Sequence, residues 1–228
     1  MSAHFPLTVV PPAPLDFLLR RGISSPSWLA DGDRPVDPGR APVLHDALDI
    51  HGPASPGREE VERFIAEVYR DRFGADVRAF APVLVCRRSP DGVLWAAAGY
   101  RPADAGALFL ERYLDMPVDQ ALATDRGEIV EVGHLAASRA GEGRRLILQL
   151  GRLLARSGFH WAVSTMTEEL RHLFQRLGVA QRTLGVADPA RLSADAARWG
   201  GYYEHHPVVL ASAIGTALLA QATRGGQS

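Results

Sequence analysis

One stretch constrains the fold more than any other. Residues 128–179 read EIVEVGHLAASRAGEGRRLILQLGRLLARSGFHWAVSTMTEELRHLFQRLGV. A β-like run, Glu128–Ser138, leads into a loop carrying Gly141 and Gly143. Arg144–Arg156 follows as a helix with Leu146, Ile147, Leu150, Leu153 and Leu154 on one face, closed by Gly158. Phe159–Thr165 then reads as a strand. Thr165 is placed to cap the next helix, with Glu168 as its capping-box partner. Leu170, Leu173, Phe174 and Leu177 stripe that helix, and Gly178 ends it. Strand, helix, strand, helix in this order calls for a sheet with a parallel pair, not a bundle or a sandwich. The glycine loop matters because a helix N-terminus leaves its first N–H groups unpaired and directed outward, a ready site for a phosphate or pyrophosphate.

The flanking sequence extends this α/β pattern. Most of the 16 prolines fall before residue 58, a density that excludes long helices and central strands. Residues 1–57 are therefore expected to form an extended arm and residues 58–228 the folded domain. Ser55 and Pro56 suit a helix start, Val61, Phe64, Ile65, Val68 and Phe73 recur at helical spacing, and Gly74 is a stop. Ala79–Arg87 and Val93–Arg101 flank a Pro90-Asp91-Gly92 turn and predict a hairpin. Leu108–Leu114 and Val118–Ala123 read as short helical turns, Val179–Val186 as a last strand, and Pro207–Ala220 as a buried C-terminal helix too short to span a bilayer.

Composition excludes several function classes. The net charge is −1 and the basic residues, all arginine or histidine, neither form a stripe nor interleave with aromatics, so nucleic acid is not an expected partner. The single cysteine, Cys86, rules out an intrachain disulfide and suits a reducing, cytoplasmic setting. Mid-strand, it reads as core. His205 and His206 are adjacent, so their side chains diverge, and no metal site is expected.

Ser138-Arg139-Ala140-Gly141-Glu142-Gly143 resembles the phosphate loop of the GNAT N-acyltransferases, with Ser138 in the leading basic position, Arg139 one place later and an acid, Glu142, inside. Phe174-Gln175-Arg176-Leu177-Gly178 is similar to the ending of that fold's later helix. A closer resemblance is to the bacterial thermostable hemolysin family. It is carried by Arg72-Phe73-Gly74-Ala75, Phe109-Leu110-Glu111-Arg112-Tyr113-Leu114-Asp115, Ile129-Val130-Glu131-Val132-Gly133-His134-Leu135-Ala136 and Trp199-Gly200-Gly201-Tyr202-Tyr203. Members often carry Asn where His134 stands. The resemblance implies a GNAT-like mixed, splayed β-sheet flanked by helices, and a relation to acyltransferases and autoinducer synthases.

The reaction so implied moves an acyl group from acyl-CoA or acyl-carrier protein, bound as co-substrate with no permanent cofactor, to the amine of a small acceptor. Arg139, Gly141, Gly143 and Arg144 would cradle the donor's phosphates, with Arg145 beside them. Phe174 would lie along the pantetheine, and Leu135 and Ala137 amides would face the oxyanion. Glu131 or His134 would take the amine's proton. Strict alternation puts those two on opposite faces of the strand, unless a bulge at Gly133 intervenes. Tyr203 would protonate the departing thiolate, with Tyr202 and Arg101 at the substrate. Glu111, four residues from Asp115, would recognise a cationic acceptor. The arm and the apolar C-terminal segment could complete the acceptor pocket or a homodimer interface. Two rivals remain: a membrane-active protein, as the hemolysin name suggests, and a GNAT-like binding protein without catalysis.

Overall fold

Three antiparallel ladders upstream of the glycine loop set the frame into which that loop is built, and they begin earlier than the prolines suggest. The computed structural model describes residues 48–218. The proline-rich arm lies outside the described residues up to residue 47. Strand β1, Asp49–His51, already belongs to the sheet, pairing antiparallel with β2, Val83–Arg88. Helix α1, Arg58–Phe73, follows, started by Gly57 and stopped by Gly74, both in left-handed conformation. Strand β3, Leu94–Pro102, completes the expected hairpin with β2.

A 3-10 segment, Phe109–Tyr113, and a short helix α2, Val118–Leu122, lead to β4, Ile129–Ala137. Helix α3, Glu142–Arg156, strand β5, Trp161–Met166, and helix α4, Glu168–Arg176, follow in the order the sequence dictates. The strand runs one residue past Thr165, so Thr167 holds the N-cap position expected of Thr165. Strand β6, Arg182–Val186, a 3-10 run Pro189–His205 and strand β7, Val208–Ala213, end the sheet.

Among the described residues seven strands lie in the order β1-β2-β3-β4-β5-β7-β6, and only β4 and β5 are parallel. The expected C-terminal helix over Pro207–Ala220 is thus corrected: its first half is a strand inserted between β5 and β6. A short apolar run fits a buried helix or a buried strand equally well, and the slot beside β5 decides.

Helices cover both faces. Val61, Ile65 and Tyr69 of α1 pack with Leu84 and Cys86 of β2. Each such burial contributes about 1.5–3 kcal/mol. Arg87, between Leu84 and Arg88, alternates to the other face and pairs with Glu142 and Gln149 of α3. A second apolar cluster gathers Leu108, Leu110, Tyr113, Ile129, Val163, Leu192 and Val209. No helix among the described residues is long and apolar enough to cross a membrane.

Candidate active site

The sheet opens at its only parallel pair. Ile129, Val130 and Glu131 of β4 face Trp161, Ala162 and Val163 of β5, and there the pairing stops. Val132–Ala137 and Ser164–Met166 run on, held on their outer sides by β3 and β7. Glu131 sits where the fork begins.

A bulge drives the parting. Gly99 of β3 faces Gly133, but Ala97 faces Ala136, so β4 carries one residue more than its partner. The extra residue is His134, at φ 54°. A bulge of this kind bends the strand and raises its twist. It also overrides alternation. A Cβ on Gly99 would lie 2.8 Å from Ala81 Cβ and 3.1 Å from His134 Nδ1. His134 therefore sits on the face α1 covers, as do Ala136 and, through its register partner Arg101, Glu131.

The two residues share a face without bonding each other. Glu131 accepts N–H bonds from Phe109 at 3.0 Å and Leu110 at 2.9 Å, one on each carboxylate oxygen. Burial pushes its carboxyl above the ordinary value, although the two amides and the Arg101 charge across the strand pull the other way. Arg101 itself reaches the Ala107 carbonyl at 3.4 Å. His134 Nε2 lies 3.2 Å from the Ala79 carbonyl. A carbonyl only accepts, so Nε2 carries the hydrogen. Nδ1 is then a bare lone pair, buried and without a partner. Phe80 stacks beside the ring at 5.5 Å.

Burial holds His134 down at about 4, so the ring is neutral at pH 7. The folded state then binds fewer protons than the unfolded chain between about pH 4 and 6.5. Stability is full above 6.5 and declines as pH falls toward 4. The expected loss over that window is about 3 kcal/mol. His134→Asn, which tolerates positive φ, should remove most of it. Urea denaturation at a series of pH values checks this. Equal acid sensitivity of the two proteins would refute the assignment.

At the open end of β4, Ser138 N–H donates to the Trp95 carbonyl at 3.0 Å. Alternation turns the Ala137 peptide groups to the other edge, toward the fork. Leu135, half-buried, is the residue after the bulge. Gly141 takes φ 85° and starts α3. The Gly143 and Arg144 N–H groups bond no backbone carbonyl among the described residues. A Cβ on Gly143 would lie 3.5 Å from Ala137 Cβ, so the helix start abuts the strand end. Arg139 and Arg144 are exposed, with the Arg139 guanidinium 5.1 Å from the Trp95 ring centre.

The acid inside the loop turns away from this surface. Glu142 is 5% exposed and pairs with buried Arg87 at 3.0 Å and with Arg145 at 2.6 Å. Burial opposes its ionisation, yet the two guanidinium groups hold its carboxyl below the ordinary range. The sequence gives no sign of this: Arg87 and Glu142 are brought together by the sheet.

Aromatic side chains cover the fork on the α1 side. Tyr202 packs with Ala136 of β4 and donates to the Thr165 carbonyl of β5 at 3.2 Å, spanning the parted strands. Burial pushes its hydroxyl well above 10. Trp199 lies 5.5 Å from Tyr202 and 5.6 Å from Phe109, whose N–H Glu131 holds. The Tyr203 hydroxyl is 2.7 Å from that of Tyr113, a residue the sequence did not single out and which no local spacing would reveal. Burial raises both phenols. Either hydroxyl can donate in this pair. Phe174 is half-buried on α4, the helix that follows the free end of β5.

Glu111 and Asp115 do not form one acidic face. Glu111 accepts from Leu108 N–H at 2.8 Å and Val118 N–H at 3.0 Å, and pairs with Arg126 at 2.7 Å. Burial works against its charge, but Arg126 and these amides keep it below the ordinary range. Asp115 pairs instead with Arg191. Both line a surface depression of about 480 Å³ with Leu114, Met116 and Arg126. The fork lies elsewhere in the sheet.

An open mixed sheet whose one parallel pair parts at a bulge, with a glycine-started helix at the mouth, is a GNAT-like fold. Residues 51–218 match the thermostable hemolysin family, and the chain belongs to it. No curated protein matches the chain in sequence. Among solved structures it is similar to TofI in an apo form, with a TM-score of 0.55 at 16% identity, covering 77% of this chain and 96% of that one. It is similar to MesI, a CoA-dependent acyl-homoserine lactone synthase, with a TM-score of 0.51 at 14% identity, covering 80% and 96%. It is similar also to FeeM, an N-acyl amino acid synthase from uncultured soil microbes, with a TM-score of 0.50 at 14% identity, covering 75% and 97%. At such identities the likeness is one of fold.

Proposed function

We propose that the protein is an N-acyltransferase that joins the acyl group of a phosphopantetheine thioester, on CoA or a carrier protein, to the amine of a small acceptor. The observation that carries this reading is the fork between β4 and β5, ending at the free N–H groups of α3. An extended pantetheine can bond the unpaired strand edges, while its phosphate meets the helix start and Arg139 and Arg144. MesI and FeeM, named for making N-acyl products, support the same class.

The amine nitrogen attacks the thioester carbonyl, a C–N bond forms, and the C–S bond breaks. Glu131 takes the amine's proton: each of its oxygens keeps a lone pair beyond its one N–H bond, and burial makes it a stronger base. Peptide N–H groups near Leu135 and Ala137 stabilise the oxyanion. Tyr203 gives its hydroxyl hydrogen to the thiolate, with Tyr113 2.7 Å away as its hydrogen-bond partner. His134, bonded to Ala79 with Nδ1 against Gly99, supports the bulge.

Gly143→Asp tests the donor site. The added Cβ finds ordinary room beside Ala137, and the new carboxylate occupies the helix N-terminus. The KM for the thioester should rise at least ~10-fold with kcat nearly unchanged and the fold intact. The assay follows thiol release from acyl-CoA and from acyl-carrier protein with a pool of amino compounds, with products read by mass spectrometry. No thiol release from either donor, or an unchanged KM in the variant, would overturn the reading.

A further inference from the structure

The sequence leaves Cys86 as an isolated core thiol, but the sheet gives it company. Asp49 and His51 are two residues apart on β1, so both point to one face, and Asp49 is the register partner of Cys86 on β2. Cys86 Sγ lies 3.7 Å from His51 Nε2 and 3.9 Å from an Asp49 carboxylate oxygen. One oxygen, one nitrogen and one sulfur thus converge within 4.8 Å of one another.

We propose that Asp49, His51 and Cys86 bind one Zn²⁺ ion per chain, clamping the edge strand β1 onto β2. Tetrahedral zinc with ordinary bonds to sulfur, nitrogen and oxygen sets its ligand atoms roughly 3.3–3.6 Å apart. The two separations from the sulfur need to contract by only a few tenths of an ångström, and the exposed Asp49 carboxylate can turn to complete the set. His51 is already oriented as a ligand. Its Nδ1 is 3.1 Å from the Pro56 carbonyl, which only accepts, so Nδ1 carries the hydrogen and Nε2 offers its lone pair toward the sulfur. A second hydrogen bond of this kind is what fixes the tautomer and ring of a metal-bound histidine. In the metal-free protein the single thiol hydrogen serves two acceptors, Nε2 and the carboxylate, and leaves one of them wanting.

The way in lies on the Asp49 side. The Asp49 side chain is 52% exposed, whereas Cys86 is fully buried, so water can reach the ion and fill its fourth position. Arg88 is a neighbouring cation, 3.3 Å from Asp49, and Glu60 holds it from the other side at 2.8 Å; Arg58 reaches His51 only at its carbonyl and is paired with Glu62. Binding replaces the thiol hydrogen, one proton leaving for each ion. The resulting thiolate, with Asp49 and Glu60, balances the charges of the ion and Arg88. Thiolate, imidazole and carboxylate together suit zinc better than magnesium or calcium. The site lies three strands from the fork, and the proposal is independent of the acyl-transfer reading.

The test titrates zinc into the metal-free full chain against a competing chelator, and repeats it with cobalt(II) for its thiolate charge-transfer band. One ion per chain and that band are expected. Cys86→Ser and His51→Gln should weaken binding at least ~100-fold, and the exposed Asp49→Asn about 10-fold. Zinc should raise the melting temperature of the parent and not of Cys86→Ser. The surface pair His205 and Glu169, 2.6 Å apart, is an alternative place for an ion to lodge, and His205→Ala should bind zinc normally. Zinc binding that survives Cys86→Ser, a cobalt complex without the thiolate band, or no binding at all would overturn the proposal.

Discussion

Gly200→Ala is expected to destabilise the protein by about 3–5 kcal/mol and to abolish activity at temperatures where the parent is folded. Gly200 sits at φ 52°, ψ −131°, a conformation that side chains with a Cβ rarely adopt. The space is also taken. A Cβ there would lie 2.2 Å from the Phe73 carbonyl oxygen and 2.8 Å from the Gly74 carbonyl carbon, both backbone atoms at the end of α1. Neither can turn aside as a side chain would, so the 3-10 run must lift off the helix. Trp199, Tyr202 and Tyr203 move with it, and so does the cover of the fork. Gly201→Ala is the control. Its Cβ would meet Glu204 at 3.5 Å, an ordinary contact, and it should change stability by less than about 1 kcal/mol. Urea melts of the two variants decide the matter; equal destabilisation would refute the account.

The same comparison shows what can be read from a chain of letters. Order and type of the central elements were legible because helix and strand periods, glycine stops and the Pro90-Asp91-Gly92 turn all act locally. The paired Gly99 and His134 show where that ends. Alternation along β4 predicts opposite faces for Glu131 and His134, and the bulge that overrides it is set by close packing against Leu84 of β2 and Ala81 just before it. The edge strand Asp49–His51 falls inside the proline-rich stretch, and three residues carry no period of their own. Val208–Ala213 became a strand through a slot between β5 and β6 that only the finished sheet defines. Within the candidate site, residue types were legible and partners were not. Glu111 offered an acceptor-binding carboxylate by spacing, but Arg126 and two amides occupy it. Glu142 looked like an intrusion in a phosphate loop, and Arg87 draws it inward.

Glu131→Gln carries the largest expected effect on catalysis, a fall in kcat/KM of about 10²–10⁴-fold, the usual contribution of a positioned proton acceptor. The reasoning rests on place and on charge. Glu131 stands where β4 and β5 part, which in the proposed reaction is where the attacking amine would lie. Glu111, Asp115 and Glu142 are each committed to arginine partners. Burial raises the Glu131 carboxyl, so the parent should lose activity on the acid side with a midpoint above the ordinary carboxylate value. Only the ionised form accepts a proton; activity is therefore retained above that midpoint and lost below it. Glutamine removes both the base and that limb of the pH profile. A structural role predicts something different. The glutamine amide would place a donor against the Phe109 or Leu110 N–H and loosen that segment, at a cost of about 1–3 kcal/mol in stability. Such loosening would raise KM and lower the melting temperature, and would leave the acid limb where it was. Rates across pH, measured on both proteins well below their melting temperatures, separate the two. Retention of the acid limb in Glu131→Gln would assign the proton to another group and leave Glu131 as the anchor of the Phe109–Tyr113 segment alone.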